Sequence, residues 1–418
     1  MVVTVRPRAI ATHGTEFGLR SDCGGIYCGR QGKSTGGSMT RLWSTLTGIL
    51  LTFVVIAFGL SMLGQAQRSR GARSEGISVE DYTPRSTLVV DAHPVPRAKF
   101  PVIDVHSHHR PGFSMSQWDE LVGEMDALNL QVLVNLSGGS GTSILRGVDS
   151  IARSFHPKRM VFFANLDFRG GVEPGFGERA AEQLERDVTA GAVGLKFFKN
   201  FGIDVRDRNG ARVPVDDPEL DPVFETAGRL GIPVLMHVGE PMSFYDPVDQ
   251  YNERWLELTL LPGRRLPADR HPSFDTMIAE RDRRFARHPD TRFIAAHMGW
   301  HANDLGRLAE LLDRLPNVYA ETAAILYELG RQPWTAREFF VAYQDRILFG
   351  KDRFASDEFP YYWRTFETRD EYFNYYRRYH AFWKLYGMDL PDEVLRKVYY
   401  LNALDLIPGI DRSQFPAS

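Results

Sequence analysis

The chain has 418 residues, enough for two or three small domains or for one large barrel with additions. Hydrophobic residues make up 43% and charged residues 25%, which excludes a disordered or collagen-like chain as a whole. The 50 Lys+Arg against 53 Asp+Glu give a formal net charge of -3, so no basic excess argues for a nucleic-acid partner.

Residues 1–38 mix Gly, Ser, Thr and Arg without apolar periodicity and read as a disordered leader. Cys23 and Cys28 are the only cysteines, so neither a disulfide framework nor thiol catalysis operates beyond them. Met39 reads as the true start. It is followed by Thr40, Arg41 and an apolar run from Leu42 to Leu63, then by the small residues Gly64 and Ala66. Residues 39–66 thus have the grammar of an export signal. The run is also long enough, at about 20 residues, to cross a bilayer as an uncleaved anchor. A buried core helix is the alternative, and the polar, Arg-rich flanks (Arg68, Arg70, Arg73) disfavour it. The expectation is an exported protein, periplasmic, secreted or anchored to the membrane by this segment. Residues 67–99 are polar, contain Pro84, Pro94 and Pro96, and read as a linker.

From Pro101 short apolar runs alternate with amphipathic stretches. Strands are expected at Val102–Val105, Val132–Leu136, Met160–Leu166, Val193–Phe197, Pro233–His237, Phe293–His297, Val318–Glu321 and Ile347–Phe349. Helices are expected near Ser116–Leu128, Ser143–Phe155, Glu178–Ala190, Asp221–Leu230, Phe274–His288, Asp304–Leu315 and Pro391–Leu404. This alternation predicts a (β/α)8 TIM-type barrel over residues 100–410. The runner-up, a doubly wound open sheet, predicts a Gly-rich phosphate turn after the first strand. Here that strand ends in His106-Ser107-His108-His109. Two insertions, Glu240–Pro272 and Phe354–Met388, follow strand C-termini, where barrels place their active sites. The second is dense in aromatics (Tyr375, Tyr376, Tyr379, Phe382, Trp383, Tyr386), which read as helical packing onto the barrel before substrate contact.

Alternation along the first strand puts His106 and His108 on one face. His237 and His297 end two further predicted strands, and Asp352 follows the last. Imidazoles and a carboxylate suit zinc and similar divalent ions, and an open ligand position makes such a site catalytic. His109, His288, His301 and His380 read as core or surface residues.

The set His106-x-His108, His237, His297 and Asp352 resembles the hallmark of the amidohydrolase superfamily. The stretches VIDVHSH (102–108), GLK (194–196), PVLMHVGE (233–240), FIAAHMG (293–299), NVYAET (317–322) and LFGKD (348–352) resemble its amidohydrolase-related (family 2) branch. That branch includes the relatives of aminocarboxymuconate-semialdehyde decarboxylase. The resemblance implies that His106, His108, His237 and Asp352 hold a divalent metal, Zn2+ first and Mn2+ second. It implies that His297 is an acid/base or substrate-polarising group. Lys196 stands where binuclear members carry a carboxylated lysine and is a candidate second-metal ligand, with one ion favoured over two. His237-Val238-Gly239-Glu240 is similar to a motif of adenosine deaminases in which the Glu is a proton donor, which makes Glu240 a candidate. Lys351 departs from the small residue of many relatives and would bind an anionic substrate or point outward. Arg254, Tyr251, Trp255 and Arg353 are candidate pocket-wall residues.

The resulting expectation is a metal-dependent hydrolase of a small-molecule amide, ester or lactone. Asp352 would take the proton from the attacking water, and His297 would help hold the oxyanion. The rivals are non-oxidative decarboxylation on the same metal and a non-catalytic exported binding protein. A nuclease is disfavoured by the net charge and by Lys196.

Overall fold

A computed structural model describes residues 76–78, 81–377, 379 and 384–416. The leader, the apolar run and the aromatic residues Phe382 and Trp383, with His380, lie outside the described residues. The chain divides into two units, Met1–Tyr82 and Thr83–Ser418, and the second carries the fold described below.

Eight strands form one parallel sheet in the order of the sequence: β1 (Val102–Ser107), β2 (Leu130–Asn135), β3 (Met160–Asn165), β4 (Ala192–Phe197), β5 (Val234–Met236), β6 (Phe293–Ala295), β7 (Val318–Glu321) and β8 (Ile347–Leu348). The ring closes between its ends. Val105 N donates to Phe349 O at 3.0 Å, Asp352 N donates to His106 O at 2.7 Å, and Ser107 bridges to Asp352 in parallel register. The strands are short and almost wholly buried, because helices cover the outer face and side chains fill the inner one. This is the predicted TIM-type barrel.

The helices follow the expected pattern. They include α1 (Met115–Leu128), α2 (Thr142–Ala152), α3 (Phe176–Thr189), α4 (Asp221–Arg229), α5 (Trp255–Leu260), α6 (Phe274–Arg287), α7 (Leu305–Arg314), α8 (Leu326–Arg331), α9 (Pro333–Ala342) and α10 (Phe359–Glu367). Side chains set several starts. Ser114 and Gln117 form a capping box on α1, and Ser273 caps α6.

Three local departures from the sequence expectation matter for the site. First, β5 and β6 stop before their histidines. Beyond β6, His297, Met298 and Trp300 have φ of 58°, 52° and 57°, a left-handed turn that side chains with a Cβ adopt at a cost. Second, the last helix breaks into α11 (Asp392–Arg396), a π-turn (Lys397–Leu401) and α12 (Asn402–Leu406). In the π-turn Val398 O accepts from Phe349 N at 2.9 Å, so a helix carbonyl serves the end of β8. Third, the aromatic segment after α10 forms no helix among its described residues. Phe373 and Leu385 pair as an isolated bridge, and Tyr375 is buried without regular structure around it.

Part of the stretch read as a linker lies on the barrel. His93 reaches Asp370, Ala98 N donates to Leu128 O at 3.1 Å, and Lys99 Nζ donates to Asp392 at 2.6 Å. Among the described residues no helix is long and apolar enough to cross a membrane.

Candidate metal centre

The C-terminal ends of β1 and β8 bring three donors together. His106 Nε2 lies 3.6 Å from Asp352 Oδ1, and His108 Nε2 lies 3.5 Å from the same oxygen. Donors on a divalent ion with bonds of 2.0–2.2 Å in tetrahedral array stand about 3.4 Å apart, so the spacing fits such an ion. The other ring nitrogens are committed. His106 Nδ1 donates to Glu321 Oε1 at 2.9 Å, and His108 Nδ1 meets Ser137 Oγ at 2.8 Å. Both Nε2 atoms are thereby turned inward. Burial holds both imidazoles neutral: His106 well below its ordinary value and His108 at about 4. Neutral imidazole is the ligand form.

Asp352 sits at φ 84°, a left-handed conformation that turns its carboxylate into the barrel mouth. Burial works to raise its pKa, but the imidazoles of His106, His297 and His108 outweigh it and hold the group below the usual carboxylate range.

His237 and His297 form a second pair. His297 Nδ1 is 2.8 Å from Ala323 O, which can only accept, so the ring proton is on Nδ1 and Nε2 carries a lone pair. His237 Nδ1 donates to that lone pair at 3.2 Å. This leaves His237 Nε2 buried with no hydrogen-bond partner, the state of an imidazole nitrogen open to a metal. His237 nevertheless does not join the cluster in which His106, His108 and Asp352 offer atoms within 4.8 Å of one another. Burial first, then His237, lowers His297 to about 4. The expected oxyanion-holding role of His297 needs a free donor, whereas Nδ1 is committed to Ala323 O and the Nε2 lone pair accepts from His237.

Sequence reading missed Glu321. This buried carboxylate at the end of β7 accepts from His106 Nδ1, from His297 N at 2.7 Å and from Ala323 N at 2.6 Å. One side chain thus orients a predicted ligand and anchors the left-handed turn. The only sequence signal was an acidic residue at a strand C-terminus. Asp104 was missed too. Its Oδ1 accepts from His106 N and Lys351 N, both at 3.0 Å, and ties β1 to the end of β8. Burial raises its pKa to about 8.

Lys196 is buried, with Nζ 3.4 Å from His106 Nε2. Burial pushes its ammonium down to about 7, while Glu321 and Asp352 pull the other way. Lys196 and Phe198 form the inner end of a cavity of about 530 Å³ whose outer wall includes Arg169, Arg206 and Arg208. A second cavity, about 460 Å³, opens beside Trp300, whose indole stacks on His297 with centroids 4.5 Å apart. Tyr251 lines it.

The remaining candidates sit elsewhere. Glu240 is ion-paired with Lys199 and stands 3.9 Å from His237 Nε2. Burial would raise it, but His237 and Lys199 prevail and hold it at about 2. Arg254 is buried against Glu257 at 2.8 Å and over the Tyr327 ring at 4.2 Å, so it braces the lid and offers no wall. Lys351 turns away from the site to pair with Glu358 and to donate to Arg353 O at 2.6 Å. Arg353 and Trp255 are exposed. Of the histidines read as core or surface, His109 meets Ser107 Oγ at 2.7 Å, and His288 and His301 pack against Arg284 and Arg281.

A closed parallel barrel with divalent-metal donors at its C-terminal rim defines a metal-dependent TIM-barrel enzyme. Residues 148–408 match the amidohydrolase family model (Amidohydro_2), and the chain belongs to that family of enzymes. The match spans His237, His297 and Asp352 and begins beyond β1, so His106 and His108 join the site by geometry. Family membership sets aside the non-catalytic binding protein. No curated protein matches the sequence. Among solved structures, the chain is similar to an uncharacterised TIM-barrel protein from Bordetella bronchiseptica (16% identity, 73% of this chain and 98% of that one, TM-score 0.47). It is also similar to 2,6-dihydroxybenzoate decarboxylase from Rhizobium (18%, 73% and 98%, TM-score 0.44). A third is 5-carboxyvanillate decarboxylase from Novosphingobium aromaticivorans, solved with manganese and 4-hydroxy-3-methoxy-5-nitrobenzoic acid (13%, 77% and 99%, TM-score 0.44). These are likenesses of fold.

Proposed function

We propose that this enzyme hydrolyses a small-molecule amide, ester or lactone, with one zinc ion held by His106, His108 and Asp352 and with His237 as fourth ligand. The observation that carries the reading is the convergence of His106 Nε2, His108 Nε2 and Asp352 Oδ1 at ligand spacing. When bound, the metal would supply Lewis acidity and bring the pKa of water toward neutrality. Asp352, ionised and partly open to the mouth, accepts the proton of the attacking water and returns it to the leaving group. His297, fixed by Ala323 O, accepts from His237 Nδ1 at Nε2 and is shielded on one face by Trp300, so it positions His237. Glu321 keeps His106 aligned throughout.

A second reading, loss of carbon dioxide from a small carboxylic acid, is favoured by Lys196. A buried ammonium beside His106, at the inner end of an arginine-lined cavity, suits a substrate carboxylate. The two are separated by running the zinc- or manganese-loaded enzyme on a panel of small amides, esters, lactones and carboxylic acids in oxygen-18 water. One label atom in the product carboxylate is expected. Carbon dioxide release with no label in the organic product would replace hydrolysis by decarboxylation.

A further inference from the structure

The lid after β5 carries a surface that the chemistry of the metal centre does not use. In α5, Glu257 and Leu258 face inward and are fully buried. Its solvent face holds Trp255 at 37% exposure, Thr259, and Leu260 at 50%, and the chain continues through Leu261 at 36%, Pro262 and Gly263. A side chain added at Gly263 would meet nothing within 4 Å, so this turn projects from the lid. An outward face made of Trp and Leu, with no carboxylate on it, inverts the usual pattern of a surface helix. Directly behind it come Arg264, Arg265 and Arg270. Arg264 is tied to the buried Glu257, and Arg270 lies 3.9 Å from Asp269. Arg265 is exposed, and among the described residues its hydrogen bond goes to a carbonyl, Leu258 O at 3.0 Å, which leaves its charge uncompensated.

We propose that this projecting tip is a membrane-docking element that inserts Trp255, Leu260 and Leu261 at the surface of an anionic bilayer. Two independent features select lipid over other occupants. An apolar tip with cations immediately behind it matches the order of a bilayer surface, acyl chains below and anionic headgroups above. In addition, the chain before Thr83 contains the apolar run Leu42–Leu63, and the 19 residues 64–82 that follow it reach about 65 Å at full extension. A tether of that length would keep the tip at high local concentration near a membrane that holds the run. Because the tip lies on a loop that follows a strand C-terminus, docking would bring lipid to the catalytic end of the barrel.

The test is co-sedimentation of the compact unit from Thr83 onward with vesicles of phosphatidylcholine alone and with roughly one-third phosphatidylglycerol. Binding to the anionic vesicles is expected. It should fall about tenfold or more in Leu260→Ser/Leu261→Ser, which removes the buried apolar area. Arg265→Glu should weaken it by about tenfold, and added salt should weaken it further. Arg265 is chosen over Arg264 because its loss strands no buried carboxylate. Unchanged thermal melts and metal content in the variants show that they fold. No binding to anionic vesicles, or binding that the leucine variants leave intact, would overturn the proposal. So would a concentration-dependent dimer that the leucine variants abolish, which would assign the tip to a second copy of the chain.

Discussion

In the proposed reaction Asp352 would be both a metal ligand and the proton acceptor, and the imidazoles around it hold its pKa below the usual carboxylate range. Asp352→Asn should therefore lower turnover about 10³-fold or more while the thermal melt stays cooperative. Near-wild-type turnover would remove Asp352 from the chemistry. Glu321 works through other groups. It accepts from His106 and from the backbone of the left-handed turn, and it lines neither of the two cavities beside the centre, so its role is positioning. Glu321→Gln keeps the shape but weakens the carboxylate–imidazole contact. Metal affinity, measured by chelator competition, should drop about 10- to 100-fold. The same competition run on Asp352→Asn separates loss of metal from loss of proton transfer.

The elements show how the barrel builds this centre. Gly350 follows β8, and an added Cβ there would press against Glu321 Oε2 and lie 3.0 Å from His106 Cβ. Glu321 cannot swing away, because Ala323 N and His297 N hold it. Gly350→Ala should therefore reduce bound metal per chain with little change in helix content by circular dichroism. Arg281 on α6 plays a matching part from the other side. It is buried and donates to Gly299 O at 2.7 Å, inside the strained turn that carries His297 and Trp300. All eight strands were legible in the sequence because short apolar runs are local signals, but their ends were not, since β5 and β6 stop before His237 and His297. The order of residues put His106, His108, His237, His297 and Asp352 at one end of the barrel, and the structure brings His106, His108 and Asp352 within ligand distance while His237 stands outside that cluster. The left-handed turn after β6 was not legible. Only Gly299 hints at it, and the forces that hold it come from Arg281 and Glu321, distant in sequence. The turn of Lys351 away from the site was equally hidden, since its partner Glu358 stands at the start of the next helix. Arg254 misled for the same reason: a lone arginine in a lid reads as a substrate contact until Glu257 and Tyr327 are seen around it.

For the whole molecule, two dependences follow. Removing the metal with a chelator should abolish activity and lower the melting temperature, and zinc or manganese should restore both, because a ligand that binds only the folded state stabilises it by mass action. Metal analysis should find one ion per chain, and a value of two would bring Lys196 into the ligand set. The second dependence concerns acid. Burial works to raise the pKa of Asp370, but hydrogen bonds from His93 N, at 2.7 Å, and from the ring of His93 and Arg364 prevail and lower it. A carboxylate with a lowered folded pKa contributes stability that is fully present above its unfolded value near 4. That contribution is lost as pH falls through the lower folded value. Asp370→Asn should thus cost about 1–3 kcal/mol at neutral pH, and the gap to wild type should close below about pH 4 in denaturant titrations. A constant gap across that range would point to packing alone.

The closure of the barrel also dictates an order of events during synthesis. His106 lies on the first strand and His108 directly after it, and Asp352 follows the last. A ribosome delivers the first strand long before the eighth, so a nascent chain lacks Asp352 for most of its translation. Loading with metal would then be a late event. Nearly complete chains that lack the last strand should neither retain the ion nor close the ring. Metal occupancy would therefore report that the eighth strand has joined the first.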